Sequence, residues 1–598
     1  MKLILIALLF VVYPFSLIQV DASWAQQPTS AQLVKTDTGW SLVRDGKPYY
    51  INGVGCDGSL GDLAKTGANS VRTWDTKDFT QKLLDDCHAQ GISVSMGIWL
   101  GHERHGTNYQ NFDEMAEQID SAMKTVRRFK DHPAVLLWGV GNEMEGGEGS
   151  NPAIWSHIEH IASLIKKEDP NHPVMTVIAE IGGRKVEGIH KFCPSVDIIG
   201  INSYGGAPSV SKRYSELNGT KPYIITEYGP VGTWEVPKNS IGAIEEPLIQ
   251  EKAKHYAQSY KAFKADASCL GSYAFLWGHK QEATATWFGM LLPSNNRTAI
   301  VDTMTELWTG EKPANLCPEI KSLTFEGSNS VKQNQLVRFK LDAFDPETDP
   351  LHVKWVLSAE SSSYVTGGDV QAAPEEFKEQ IVSADKTSAE IKMPESGGMY
   401  RVYAYVDDGK GGGAAANIPI HVEGNVKMRP AQKSDLPFVV YEDTFDNAPY
   451  AASGFMGSAE AISLDPRCAD NPKTGTHCLK ISYKREDAWG GVVWQSPAND
   501  WGDLDGGYNI SGAKTFKFWA RGDKGNETIK FGVGLLGRDK KYFDTTQKEV
   551  VITLTDQWQQ ITVDLKDADL RRIKTGFFFS VEGQGQPLEF FVDGIRFE

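Results

Sequence analysis

Two stretches decide the fold: Val135-Leu136-Leu137-Trp138-Gly139-Val140-Gly141-Asn142-Glu143 and Pro222-Tyr223-Ile224-Ile225-Thr226-Glu227-Tyr228-Gly229. Each is an unbroken apolar run that ends on a carboxylate. A run with no polar alternation reads as a strand covered on both faces, the setting of a parallel sheet flanked by helices. A charge at the tip of such a strand is costly unless it is solvated or paired.

The same texture repeats on either side. Candidate strands are Tyr49–Cys56, Asn69–Trp74, Ile92–Leu100, Ala134–Asn142, Val174–Ala179, Asp197–Ser203, Pro222–Glu227 and Gly271–Trp277. Helical stripes lie between them: Phe79, Leu83, Leu84 and Cys87, then Met115, Ile119, Met123 and Val126. Ile154, Ile158, Ile161 and Ile165 form the next, and Ala253, Tyr256, Tyr260 and Phe263 the last. Apolar residues at this spacing mark core-facing helix surfaces. Eight strand–helix alternations predict a (β/α)8 TIM barrel over residues 26–312. A doubly wound nucleotide-binding sheet would carry a Gly-rich phosphate loop after its first strand; Gly53 to Gly58 is a poor match.

After Trp308 the pattern turns to short alternating strands with turns at Asp345-Pro346 and Asp408-Gly409. Residues 313–424 read as an Ig-like β-sandwich, 425–437 as a Pro- and Lys-bearing linker, and 438–598 as a larger β jelly roll. At 598 residues the chain is too long for one core. Its net charge of -16 argues against nucleic acid as a partner. Lys2 followed by the apolar run Leu3 to Val20 and small residues reads as a signal peptide over 1–25. That implies a secreted, periplasmic or cell-surface protein with no membrane attachment after cleavage; an uncleaved anchor is the competing reading. Cys468 and Cys478, close together in a Gly/Pro/Asn-rich stretch, suit a local disulfide in an exported protein.

In such a barrel the C-terminal strand tips carry the chemistry. Glu143 ends the fourth strand and Glu227 the seventh, across the mouth from one another. Two carboxyl groups within about 5 Å there can divide the work of cleaving a β-glycosidic bond, one attacking and one donating a proton. Their proximity would also push their pKa values apart. Asn142 is placed to meet a sugar 2-hydroxyl. The bland alternative for Glu143 is a cap on the following segment.

The run Asp131-His132-Pro133 through Trp138-Gly139-Val140-Gly141-Asn142-Glu143 resembles the acid/base segment of glycoside hydrolase clan A, family 2 above all. Ile224-Ile225-Thr226-Glu227-Tyr228-Gly229 is similar to that clan's nucleophile strand. The resemblance implies a retaining β-glycosidase with Glu143 as general acid/base and Glu227 as nucleophile. It further implies that Arg72 bonds the nucleophile and keeps it ionised, that Tyr204 contacts it, and that Trp277 floors the subsite of the cleaved sugar. Arg72 as a surface ion pair and Trp277 as barrel packing are the competing readings. Trp99, His102, Trp234 and Trp287, in loops after strands, are candidate sugar-binding residues or plain loop and core residues. Family 2 usually carries β-sandwich domains before its barrel; here the barrel is expected to start almost at the mature N-terminus, as in the clan's family 5.

Residues 313–424 also resemble Ig-like or cadherin-like modules, and 438–598 a carbohydrate-binding jelly roll. Tyr441 to Phe445 and Phe590 to Ile595 carry the second likeness. It suggests a structural calcium at Glu442 and Asp593, and glycan contacts at Trp489, Trp494 or Tyr542. The acidic turn Asp345-Pro346-Glu347-Thr348-Asp349 reads either as a calcium site or as a solvated turn. No cofactor is needed for the chemistry. The expectation is a polysaccharide substrate, a β-glucan first, cleaved or transferred. An exo-acting β-galactosidase/β-mannosidase-like enzyme and an inactive glycan-binding protein are the alternatives.

Overall fold

The structure is a computed structural model that describes residues 29–598 apart from 57–58, 103–106, 146–148, 362, 365–366, 369–370, 372, 425–430, 432 and 446–447. The expected signal peptide, 1–25, lies outside the described residues, as does most of the expected linker. The chain forms two compact units. One holds the chain up to Ser203 together with Pro208–Tyr228 and Tyr260–Ala274; the other holds Tyr204–Ala207, Gly229–Ser259 and Phe275–Glu598.

The first unit opens on a hairpin, β1 (Ala31–Lys35), β2 (Trp40–Arg44) and β3 (Lys47–Pro48). Eight strands follow: β4 (Ile51–Cys56), β5 (Ser70–Arg72), β6 (Ser93–Ile98), β7 (Val135–Asn142), β8 (Val174–Ala179), β9 (Ile198–Asn202), β10 (Tyr223–Tyr228) and β11 (Cys269–Trp277). They close into one barrel in the order β10-β11-β4-β5-β6-β7-β8-β9. All eight expected strands are present, each within two residues of its expected bounds.

Helices α1 (Leu60–Ala64), α2 (Thr80–Ala89), α3 (Phe112–Phe129), α4 (Pro152–Glu168), α5 (Lys185–Phe192), α6 (Val210–Glu216), α7 (Ile249–Lys264) and α8 (Ala299–Thr309) follow the strands one by one. Local chemistry sets their ends. Asn111 caps α3 by accepting from the amides of Asp113 and Glu114, with Arg127 and Arg128 in the last turn. Asn151 caps α4, with Pro152 at its first position. The isoleucine stripe of α4 is fully buried. Phe79 departs from expectation: it precedes α2 and is 61% exposed, because the helix starts one residue later.

The hairpin, which the sequence reading did not find, packs Ala31 and Leu42 against Ile51, Leu136, Ile198, Ile224 and Leu270. These sit at the first or second residues of their strands, so the hairpin plugs the N-terminal end of the barrel. Arg44 Nη2 and Thr29 Oγ1 fasten it to the Pro133 carbonyl.

In the second unit, Glu319–Phe325, Leu336–Phe344, Ser388–Lys392 and Ile381–Ala384 form one four-stranded sheet. Ser330–Lys332, Gly413–Glu423, Gly398–Asp407 and His352–Ala359 form another, and the two share a core that includes Phe339, Trp355, Leu357 and Val402. Six- and five-stranded sheets between Phe438 and Phe597 make a second sandwich around Trp494 and a cluster of phenylalanines. Both sandwiches agree with the expected fold class. Cys468 and Cys478 are direct partners on neighbouring strands but are free thiols, so the expected disulfide is not formed.

Candidate active site

The site is built from the tips of β5, β7, β9 and β10. β5 is short, and Trp74 follows it by two residues. Gly97 on β6 makes room: a Cβ there would lie 2.3 Å from the Thr73 carbonyl oxygen. β7 and β10 both lose regular register at their tips. The pairing of β7 with β8 slips between Val140 and Asn142, and that of β10 with β9 between Ile225 and Glu227. Irregularities of this kind re-aim a side chain at the end of a strand. Gly141 has φ +73°, and Glu143 itself has φ +55°, a conformation that side-chain-bearing residues seldom adopt. The chain bends through these two residues, so consecutive Asn142 and Glu143 take part in one network.

That network is continuous. Arg72, 2% exposed, donates through Nη1 to Glu227 Oε1 at 2.8 Å and to the Thr226 carbonyl at 3.0 Å. Its Nη2 donates to Asn142 Oδ1 at 2.5 Å. Trp74 Nε1 adds a second donor to Glu227 Oε1 at 2.7 Å. On the other side, Asn202 Nδ2 donates to Glu143 Oε1 at 2.7 Å and to Asn142 Oδ1 at 3.2 Å, and Thr226 Oγ1 donates to Asn202 Oδ1 at 2.7 Å. Two donors on Asn142 Oδ1 determine which way round that amide sits, leaving its NH2 as the end that would meet a ligand hydroxyl.

The electrostatics single out Glu143. Burial first, and then the negative charge of Glu227, push the Glu143 carboxyl up to about 7, against the bond from Asn202. A carboxyl held protonated near neutrality is what a proton donor requires. Arg72 is a buried cation with three acceptors around it, and Glu227 is its charged partner. Glu145, two residues past Glu143, has a fully buried side chain that accepts from the Ala179 amide at 2.8 Å and lies 3.3 Å from Lys185 Nζ. It pins the segment after β7 to the tip of β8.

The structure therefore joins Glu143, Glu227, Arg72 and Asn142, and rules out Arg72 as a surface ion pair. Two participants were missed: Trp74 and Asn202. Both stand at or just past the C-terminal end of a barrel strand, the position that singled out Glu143.

The remaining expected residues are more dispersed. Trp99, 46% exposed, stacks on buried His102 with ring centroids 4.8 Å apart. Tyr204 lies edge-on to Trp234 and Phe288 in the second unit. Trp277 is buried at the end of β11. Trp234 is 47% exposed. Trp287 corrects the expectation of a sugar contact: it is fully buried and its Nε1 donates to the Val231 carbonyl at 2.9 Å, so it fills core.

In the C-terminal sandwich Trp494 is core, Tyr542 is half-buried and Trp489 is 45% exposed. The two residues named for a structural calcium, Glu442 and Asp593, differ in setting. Asp593 is buried and accepts from the Lys473 amide and from the amide and hydroxyl of Thr474, so it anchors a loop, while Glu442 is exposed. Among the described residues, the one carboxylate trio within 4.8 Å of itself is Asp345, Glu347 and Asp349. There Asp345 Oδ1 accepts from two amides of its own turn, and Lys410 Nζ lies 2.7 Å from Asp349.

Residues 63–261 match the model of the family described as "Glycosyl hydrolases family 2, TIM barrel domain". Curated relatives include the β-glucuronidase of Sus scrofa, 31% identical over 182 residues, and that of Homo sapiens, 29% identical over 182 residues. Each alignment covers 27% of this chain and 26% of the relative, so the chain spans about a quarter of the length of the relatives it matches. Among solved structures, a β-glucuronidase from an uncultured Clostridium sp. is 18% identical with a TM-score of 0.38, covering 47% of this chain and 54% of that one.

Proposed function

We propose that this protein is a retaining β-glycosidase in which Glu227 is the nucleophile and Glu143 the general acid/base. The observation that carries the reading is the unbroken chain Glu227–Arg72–Asn142–Asn202–Glu143. It holds two carboxylates in one buried network, with one of them kept protonated near neutral pH. The match of residues 63–261 to a glycoside hydrolase barrel supports it.

In the first step a Glu227 oxygen bonds to the anomeric carbon while the glycosidic C–O bond breaks. The departing oxygen takes the Glu143 proton. In the second step Glu143, now ionised, accepts a proton from water, whose oxygen displaces Glu227. Asn142 contacts the 2-hydroxyl, and Arg72 and Trp74 hold Glu227 in line. A sugar hydroxyl in place of water would give transfer.

For the substrate, the β-glucuronidase relatives of the barrel point to a β-glucuronide, in place of the β-glucan expected from the appended sandwiches. Lys2 with the apolar run Leu3 to Val20, read as a leader, and the appended sandwiches support export and action on a glycan outside the cytoplasm. Among the described residues no helix is long and apolar enough to cross a membrane.

The test is hydrolysis of aryl β-glucuronides, β-glucosides and β-galactosides by the full chain. Turnover of one of them, lost in Glu227→Ala and rescued by azide as the inverted glycosyl azide, supports the reading. Wild-type inactivity on the whole panel, or retained turnover in Glu227→Ala, refutes it.

A further inference from the structure

Strand β6 brings a half-open tryptophan to the mouth of the barrel, in the same compact unit as both acids. Its register fixes where. β6 runs parallel to β7, with Gly97 opposite Gly139 and Ile98 opposite Val140. The next residue on each strand is Trp99 and Gly141, so at the usual strand spacing of about 4.8 Å the Trp99 backbone stands beside the bend that carries Asn142 and Glu143. On the other flank, Arg72 of β5 is opposite Ser95, the Thr73 amide donates to the Ser95 carbonyl at 3.1 Å, and the Gly97 amide donates to Thr73 Oγ1 at 3.0 Å. Trp74, which bonds Glu227, follows directly.

Alternation along the strand sets the side on which the ring lies. Ser93 Oγ donates to Ser70 Oγ, which bonds the Tyr273 hydroxyl at 2.9 Å. Ser70 on β5 and Tyr273 on β11 are separated by β4, so that contact crosses the barrel interior. Ser93, Ser95, Gly97 and Trp99 therefore share the inner side, while Ile98 and Leu100 turn outward and are buried. At Gly97 the inner side is filled by the Thr73–Trp74 backbone. Trp99 is the first side chain beyond that crossing, and it is 46% exposed. Buried His102 stacks on it with the ring planes 14° apart. The turn between them is held by the Tyr109 hydroxyl, which donates to the Gly101 carbonyl at 2.6 Å.

A flat ring braced on one face and open on the other suits the C–H face of a pyranose. Barrel order says which pyranose. β6 is the neighbour of β7, the strand of the acid Glu143, and lies diametrically opposite β10, the strand of the nucleophile Glu227. A nucleophile attacks the anomeric carbon from the face away from the departing oxygen, and the acid stands on the departing side.

We infer that Trp99 is a stacking platform for the sugar on the leaving-group side of the cleaved bond, so that the substrate is a chain of at least two pyranoses. The inference rests on the glycosidase reading above, which assigns the acid and the nucleophile.

The test compares two leaving groups on one sugar in the full chain: β-glucuronosyl fluoride, which offers no ring to stack, and a disaccharide with β-linked glucuronic acid at its non-reducing end. If the aryl panel selects another sugar, its fluoride and disaccharide take their place. Trp99→Ala is expected to raise KM for the disaccharide by about three- to tenfold, the scale of one aromatic contact. Its kcat on the disaccharide stays within about twofold of wild type, the pattern of lost uniform binding. KM for the fluoride should change far less, and Trp99→Phe, which keeps a ring, should recover most of the disaccharide KM. An unchanged disaccharide KM, or equal changes on the two substrates, overturns the inference.

Binding without turnover separates the two readings. The same disaccharide is titrated by calorimetry into Glu227→Gln and into Glu227→Gln with Trp99→Ala, with a three- to tenfold weaker affinity expected in the second. If wild type cleaves no glycoside the glycosidase reading falls by itself; equal affinities in the two variants, or binding to neither, then overturn the platform separately.

Discussion

Replacing Glu143 by alanine probes the charge arrangement of the site most directly. Its carboxyl ordinarily titrates near 4.5 and here is pushed up to about 7, by burial first and by the charge of Glu227 second. A difference of that size is a preference of about 3 kcal/mol for the protonated form. At pH 6 roughly nine-tenths of the molecules then carry the proton that an ordinary glutamate would have lost. In the proposed mechanism the protonated form is the working acid, so activity should be present below 7 and lost as pH rises through it. For a glycoside with a poor leaving group, kcat/KM should show its alkaline limb near 7.

In Glu143→Ala that substrate should lose about 10²–10⁴-fold, the usual worth of a positioned general acid. A dinitrophenyl glycoside, which needs no protonation on leaving, should lose far less in its first step. The limb near 7 should vanish from the variant's profile, and azide should restore turnover with the retained glycosyl azide as product. Asn202→Ala, which removes the bond that holds the Glu143 pKa down, should move the limb upward. The measurement is steady-state kinetics on paired aryl glycosides from pH 4 to 9. A limb that persists near 7 in Glu143→Ala, or equal losses on the two leaving groups, would refute the assignment.

Three further outcomes are expected. Arg72→Met strands Glu227 in a buried setting and should cost about 3–5 kcal/mol of stability together with nearly all activity; adding Glu227→Gln should recover much of the melting temperature and none of the turnover. Gly141→Ala places a Cβ at φ +73°, 2.0 Å from the Met144 sulphur. The sulphur can move and the backbone cannot, so about 1–3 kcal/mol should be lost in denaturant titration, with a fall in kcat as Glu143 shifts. Trp287→Ala empties a fully buried site and should cost about 3–5 kcal/mol, whereas half-exposed Trp234→Ala should leave the melting temperature nearly unchanged.

The barrel was legible because its signal is local. A strand covered on both faces must be apolar at every position, and a helix laid on it must be apolar every three to four residues; neither depends on what the chain meets elsewhere. Val135–Asn142 and Tyr223–Tyr228 announce themselves in this way, and the two carboxylates were visible because each interrupts such a run. The hairpin Ala31–Pro48 was not legible. Its strands are short and bury only Ala31 and Leu42, and only its seat on the barrel floor makes them a unit. The tryptophans were equally opaque, since Trp234 and Trp287 occupy similar loops and differ only in what packs over them.

Eight strands, their helices and the pair of acids could thus be read from local sequence, because burial imposes a periodicity that any short window reveals. It took the folded chain to show that Trp74 and Asn202 join those acids, that Arg72 bonds both Glu227 and Asn142, and that Arg401 holds Ile244 from a distant strand. Hydrogen bonds run over about 3 Å between residues dozens to more than a hundred positions apart. Barrel closure, the slipped registers at two strand tips and the packing of the sandwich bring those partners within reach, and no window of sequence contains them.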